Sequence, residues 1–144
     1  MNAEPGLVIV RGAADGFVQE ITAGAHRLRS DEPPSVGGTD TGATPYDLLL
    51  AALGSCTSMT MAMYARRKKW PLERVTVRLR HSRVHAEDCA ACETQTAWLT
   101  VIDREIALEG WLDEDQRARL LAIANRCPVH LTLSARIDIR TTLQ

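Results

Sequence analysis

Between Leu48 and Met63 the apolar and small residues surround a helix instead of lining one stripe of it. A helix with that pattern is buried on most of its sides. In a chain of 144 residues one small sheet cannot supply all that cover, so the segment calls for a sheet on one flank and a second subunit on another. The helix has clear ends. Thr44 suits the N-cap, Pro45 the first helical position, and Asp47 can reach back to the cap from the third. Arg66, Arg67 and Lys68 suit the negative end of the helix dipole, and Trp70-Pro71 stops it.

The flanking segments alternate with the period of strands. Leu7–Val10, Phe17–Ile21 and His26–Leu28 are three short strands separated by glycines, which predicts an antiparallel meander. Residues 30–43 form a loop with two prolines and three glycines. After the helix, Leu72–His85 and Gln95–Leu108 are two long strands expected to pair as a hairpin, with a slip in phase near Ile102-Asp103 that predicts a bulge. Asp113-Glu114-Asp115-Gln116 is a capping box opening an amphipathic helix with Leu120, Leu121, Ile123 and Ala124 facing in. Cys127-Pro128 ends it, because a residue before proline avoids the helical region, and Pro128 can restart a turn to about Leu133. Arg136–Thr142 alternates as a final strand. This order, ββ(β)–α–ββ–α–β, is that of a single α+β domain over residues 1–144.

Composition excludes several classes of function. A net charge of −1 and a pI near 6.4 give no basic face for nucleic acid. Gly54, Ser55, Thr57, Ser58 and Thr60 interrupt the longest apolar stretch, which is expected to be too short to span a bilayer. The first 20 residues lack a basic start followed by an apolar run, so a cytoplasmic protein is expected. Gly37-Gly38-Thr39-Asp40-Thr41-Gly42 lacks the order of a phosphate-binding loop, and no nucleotide or other cofactor is expected.

The chemistry then falls to thiols. Cys56 lies inside the helix, and on spacing alone it is most simply a small core residue. Gly54 and Ser55 beside it weaken a helix without adding packing, which suggests a close approach. Cys127 precedes a proline at a helix start, where the positive helix end lowers a thiol pKa and so favours the nucleophilic thiolate. It could equally be a loop residue that merely ends a helix. His130, three residues on, could assist or face solvent. Cys89 and Cys92 form a CxxC downstream of His81 and His85; zinc, a redox pair, or incidental surface thiols fit that spacing, the last most simply.

The run from Gly37 to Thr60 that carries Thr-Pro-Tyr-Asp-Leu and Cys56, followed by Cys127-Pro-Val-His130, resembles the OsmC/Ohr family. The resemblance implies an intertwined α+β homodimer with back-to-back central helices. It implies thiol-dependent reduction of organic or inorganic hydroperoxides, in which Cys56 is oxidised to a sulfenic acid, Cys127 closes a disulfide and a dithiol reductant reopens it. In peroxidases of the family an arginine in the loop and a glutamate after the proline hold the first cysteine as thiolate. Here those positions fall near Val36 and at Tyr46, leaving Asp47 as the nearest acid and Arg29 as the nearest upstream cation. The alternative the resemblance carries is a redox-responsive or small-ligand-binding member without peroxidase activity.

Overall fold

A computed structural model describes residues 4–85 and 98–144. It divides into two compact units, residues 1–49 and 50–144. The CxxC cysteines, and with them the zinc and redox readings of that loop, lie outside the described residues.

In the first unit, β1 (Val8–Gly12), β2 (Gln19–Ala23) and β3 (His26–Ser30) form the expected antiparallel meander. Its register places Val10 opposite Ile21, and Ile21 opposite Leu28. The loop that follows is held by one carboxylate. Asp31 is buried and accepts hydrogen bonds from the backbone N–H groups of Glu32, Thr39 and Thr41 and from the Thr39 and Thr41 hydroxyls. The loop folds back so tightly that a side chain at Gly38 would collide with the Glu32 carbonyl. The glycines here therefore serve backbone approach. Thr44 and Asp47 close a reciprocal capping box, with the Thr44 N–H donating to Asp47 Oδ2 at 3.0 Å and the Asp47 N–H to Thr44 Oγ1 at 3.1 Å.

That cap opens α1 (Pro45–Lys68). The helix ends where Lys69 adopts φ +56° and the Trp70 N–H returns to the Ala65 carbonyl. At 24 residues α1 is long and apolar enough, by length and composition, to cross a membrane, contrary to the expectation from its interrupted apolar stretch. Within the second unit, however, Leu53, Gly54, Thr57, Met61 and Ala65 form a continuous buried flank.

The second unit is a hairpin of β4 (Leu72–His85) and β5 (Trp98–Gly110), with α2 (Glu114–Ala124) and α3 (Pro128–Leu133). Met61 and Ala65 of α1 pack with Leu120 and Ala124 of α2, and Val75, Ile106 and Leu108 of the hairpin close on this core. Leu121, expected inside, is exposed, since the inward arc of α2 is taken up by Leu120, Ile123 and Ala124. Asp113 and Gln116 form the expected capping box.

The hairpin corrects one expectation. Its register runs unbroken through Ile102 and Asp103, and the irregularity lies between Leu72 and Arg74. The apparent slip arises because Arg104 occupies the inward row, between Ile102 and Ile106, opposite Leu79. A second correction concerns residues 136–142. They form no strand, and among the described residues no ladder receives them. Ile139 is 83% exposed. An alternating pattern specifies which face is apolar, but a strand also needs a neighbour to satisfy its backbone.

Candidate active site

Both thiols lie in the second unit, on elements far apart in the chain. Cys56 is half-buried, at the edge of the α1 flank that packs inward. It is thus not the enclosed core residue that spacing alone favoured. The close approach signalled by Gly54 is real: a Cβ there would lie 2.8 Å from Leu79 Cδ1. Cys127 is fully buried and is the N-cap of α3, its sulfur accepting the His130 N–H at 3.4 Å.

Cys56 lies near enough to Cys127 to influence its ionisation. Burial pushes the Cys127 pKa up, but hydrogen bonds from the Cys56 thiol, the His130 N–H, the Thr57 hydroxyl and the Val129 N–H outweigh it. The net result is a Cys127 pKa below the ordinary thiol value. At this proline-initiated helix start the contributors named are individual donors to the sulfur, the His130 N–H among them.

Arg104 is the residue that the sequence reading passed over. Its Nη1 donates to Thr57 Oγ1 at 3.0 Å and, less closely, to the Ala124 carbonyl at 3.5 Å. Its Nη2 donates to Asn125 Oδ1 at 2.9 Å and lies 3.3 Å from His130 Nδ1. An arginine can only donate, so in this contact His130 Nδ1 takes the acceptor's part. His130 is thereby placed in the site, half-buried, and not in bulk solvent. Among the described residues no carboxylate forms an ion pair with Arg104. A partly buried guanidinium with no carboxylate partner among the described residues leaves a positive field beside the dithiol. The detectable signal was a charged residue in phase with Ile102, Ile106 and Leu108 on an inward strand face.

Arg104 and His130 also border a cavity of about 370 Å³, whose other walls include Leu53, Ile102 and Leu133. That volume suits a small, partly apolar molecule. Asp47 has a defined local task, its carboxylate closing the α1 cap. No cluster of metal-ligating side chains occurs among the described residues.

A dithiol on a long helix and at a Cys-Pro-Val corner, set in an α+β chain with two antiparallel sheets, defines a protein class. The family model of OsmC-like proteins matches residues 38–142, and the chain belongs to the OsmC family. Its fold is similar to that of an OsmC-like protein from Mycoplasma pneumoniae, with a TM-score of 0.71 at 18% identity over 93% of this chain and 89% of the other. It is also similar to an organic hydroperoxide resistance protein OsmC from Legionella pneumophila, with a TM-score of 0.63 at 20% identity, covering 88% and 87% of the two chains. An organic hydroperoxide resistance protein from Elizabethkingia anophelis gives a TM-score of 0.63 at 16% identity, over 87% and 84%. At these identities the likeness is one of fold. No curated protein matches the sequence.

Proposed function

We propose that the protein reduces hydroperoxides with its Cys56–Cys127 pair. The observation that carries this reading is that Cys56 lies close enough to Cys127 to help hold its pKa below the usual thiol value, beside the His130 N–H on the same sulfur. Once one of the two protons is lost the pair can share the other, and the lowered Cys127 pKa favours that thiolate.

In the proposed cycle the sulfur of Cys56 attacks the terminal peroxide oxygen. An S–O bond forms as the O–O bond breaks, and the Cys56 proton passes to Cys127. Cys127 returns that proton to the alkoxide, which leaves as the alcohol. The Cys127 thiolate then attacks the sulfenic sulfur of Cys56, forming the disulfide and releasing hydroxide. An external dithiol supplies two electrons and two protons to reopen it. Some proteins of similar fold are named for organic hydroperoxide resistance, which accords with this assignment. The partly apolar cavity beside Arg104 favours an organic peroxide over hydrogen peroxide.

A homodimer is part of the proposal. Met59 and Met63 are 69% and 51% exposed on α1, an apolar face that water alone would otherwise cover. The alternating residues 136–142 likewise await a neighbouring strand.

The test is turnover of cumene hydroperoxide with a dithiol reductant. Wild type should consume peroxide catalytically, Cys56→Ser should not, and Cys127→Ser should be slowed, since it lacks both the proton acceptor and the resolving thiol. Peroxide loss no faster than in Cys56→Ser would overturn the assignment and favour a family member that senses or binds small molecules without turning them over.

A further inference from the structure

We infer that Arg104 is a positioning residue that sets the ionisation of Cys127 through the hydroxyl of Thr57. Its importance for turnover rests on the dithiol reading above; its effect on the thiolate does not.

The geometry runs through a single oxygen. Thr57 Oγ1 is fully enclosed, lies 2.7 Å from the Leu53 carbonyl, receives Arg104 Nη1 at 3.0 Å, and is within reach of the Cys127 sulfur. A hydroxyl has one proton to give. While Cys127 is a thiol, that proton goes to the Leu53 carbonyl. When Cys127 ionises, the proton can turn to the sulfur, and the Leu53 carbonyl keeps the ordinary helical N–H of Thr57. Arg104 does two things to this switch. By occupying a lone pair of Oγ1 it fixes the oxygen in place, and by donating to it makes the O–H a stronger donor to a thiolate.

The same guanidinium holds the other wall of the site. Nη2 reaches Asn125, the residue closing α2, and His130, whose backbone N–H donates to the Cys127 sulfur. One planar fork thus spans α1, the end of α2 and α3, and it does so from a strand. Lysine carries the same charge but offers one nitrogen, which cannot hold Thr57 and Asn125 together. The titratable groups facing this point are Cys56 on α1, Cys127 before α3 and His130 on α3; Arg104 on β5 is the cation.

The experiment follows the ultraviolet absorbance of the thiolate against pH in full-length protein, with Cys56→Ser present throughout so that one thiol of the pair titrates. Each curve is corrected by the same variant carrying Cys127→Ser. Arg104→Met should raise the Cys127 midpoint by about one pH unit, the low end for loss of one favourable charged contact. Thr57→Val should raise it too, and the double variant should fall clearly short of the sum of the two shifts, since both act on the Thr57 hydroxyl. Arg104→Lys should fall between wild type and Arg104→Met. A folded Arg104→Met protein with an unmoved midpoint would overturn the inference, and so would shifts that add in the double variant. If Arg104→Met does not fold, Thr57→Ser and Thr57→Val decide it: serine should keep the wild-type midpoint and valine should raise it, and equal midpoints would sink the proposal. Peroxide turnover enters none of these readings, so loss of the peroxidase assignment and loss of this one are distinguishable.

Discussion

Arg104 and Thr57 meet at 3.0 Å, one residue along α1 from Cys56. The contact joins the inward row of a strand to the buried flank of the cysteine helix, and it puts the charge of the site on the hairpin. The loop before α1, residues 31–43, carries no arginine or lysine. Arg104 is tolerated among Ile102, Ile106 and Leu108 because its hydrogen bonds repay part of the cost of leaving water.

The lowered Cys127 pKa makes stability depend on pH in a defined direction. A thiol whose folded value lies below its unfolded value, near 8.5, stabilises the native state most fully above the unfolded value. That contribution is lost as pH falls through the folded value. The urea midpoint of wild type, compared with Cys127→Ser under a non-thiol reductant at fixed protein concentration, should therefore gain ground as pH rises from about 6 to about 9. A gap that stays level or narrows over that range contradicts the assignment of the shift.

Gly54 permits α1 to lie against β4. A methyl group there meets Leu79 Cδ1 at 2.8 Å, and Leu79 pairs with Arg104 across the hairpin. Alanine brings about 1 kcal/mol of helix propensity, while overpacking costs roughly 1–3 kcal/mol. Gly54→Ala should thus be destabilised by about 1 kcal/mol in urea unfolding, taking the middle of these ranges. The diagnostic is coupling: Leu79→Ala should cost less in the Gly54→Ala background than in wild type, and strict additivity would show that the two do not press on each other.

The elements legible from sequence are those fixed by local chemistry. The Thr44–Asp47 and Asp113–Gln116 boxes, the Pro128 restart and the limits of α1 and β4 follow from side chains that act within a few residues. Where a distant partner decides, local pattern does not suffice. Arg104 looked like a break in alternation because a strand pattern scores charge as outward, whereas its donors are satisfied by α1, α2 and α3. Residues 136–142 carry the right alternation for a strand, but pairing is a property of the neighbour. The Cys56–Cys127 proximity came from the family resemblance; spacing alone could not bring together two residues on separate helices.

Asp31 makes the loop before α1 resistant to acid. The Thr39 hydroxyl and the Thr41 N–H hold its carboxyl well below the usual carboxylate range, against the opposing effect of burial. A depressed carboxylate stabilises the fold above its unfolded pKa, near 3.9, and the stabilisation disappears as pH falls through the folded value. Asp31→Asn should lower the thermal midpoint at neutral pH. The difference from wild type should stay constant above about pH 5 and shrink below about pH 4. A difference independent of pH would assign the loss to the altered hydrogen-bond geometry alone.

Met59 tests whether a second copy covers α1. Its side chain is 69% exposed in the isolated chain, on the face opposite the flank of Leu53, Thr57 and Met61. Moving a side chain of that size into an apolar interface gains about 1.5–3 kcal/mol, and a dimer would bury two. Replacing it by lysine forces two like charges toward a shared apolar surface, which costs more than the methionines contributed. Sedimentation equilibrium should find wild type dimeric and Met59→Lys shifted toward monomer. Thermal stability should rise with protein concentration for wild type and less so for the variant. A wild-type chain that sediments as a monomer at all concentrations would remove the second subunit from the proposal and leave the exposed methionines to some other partner.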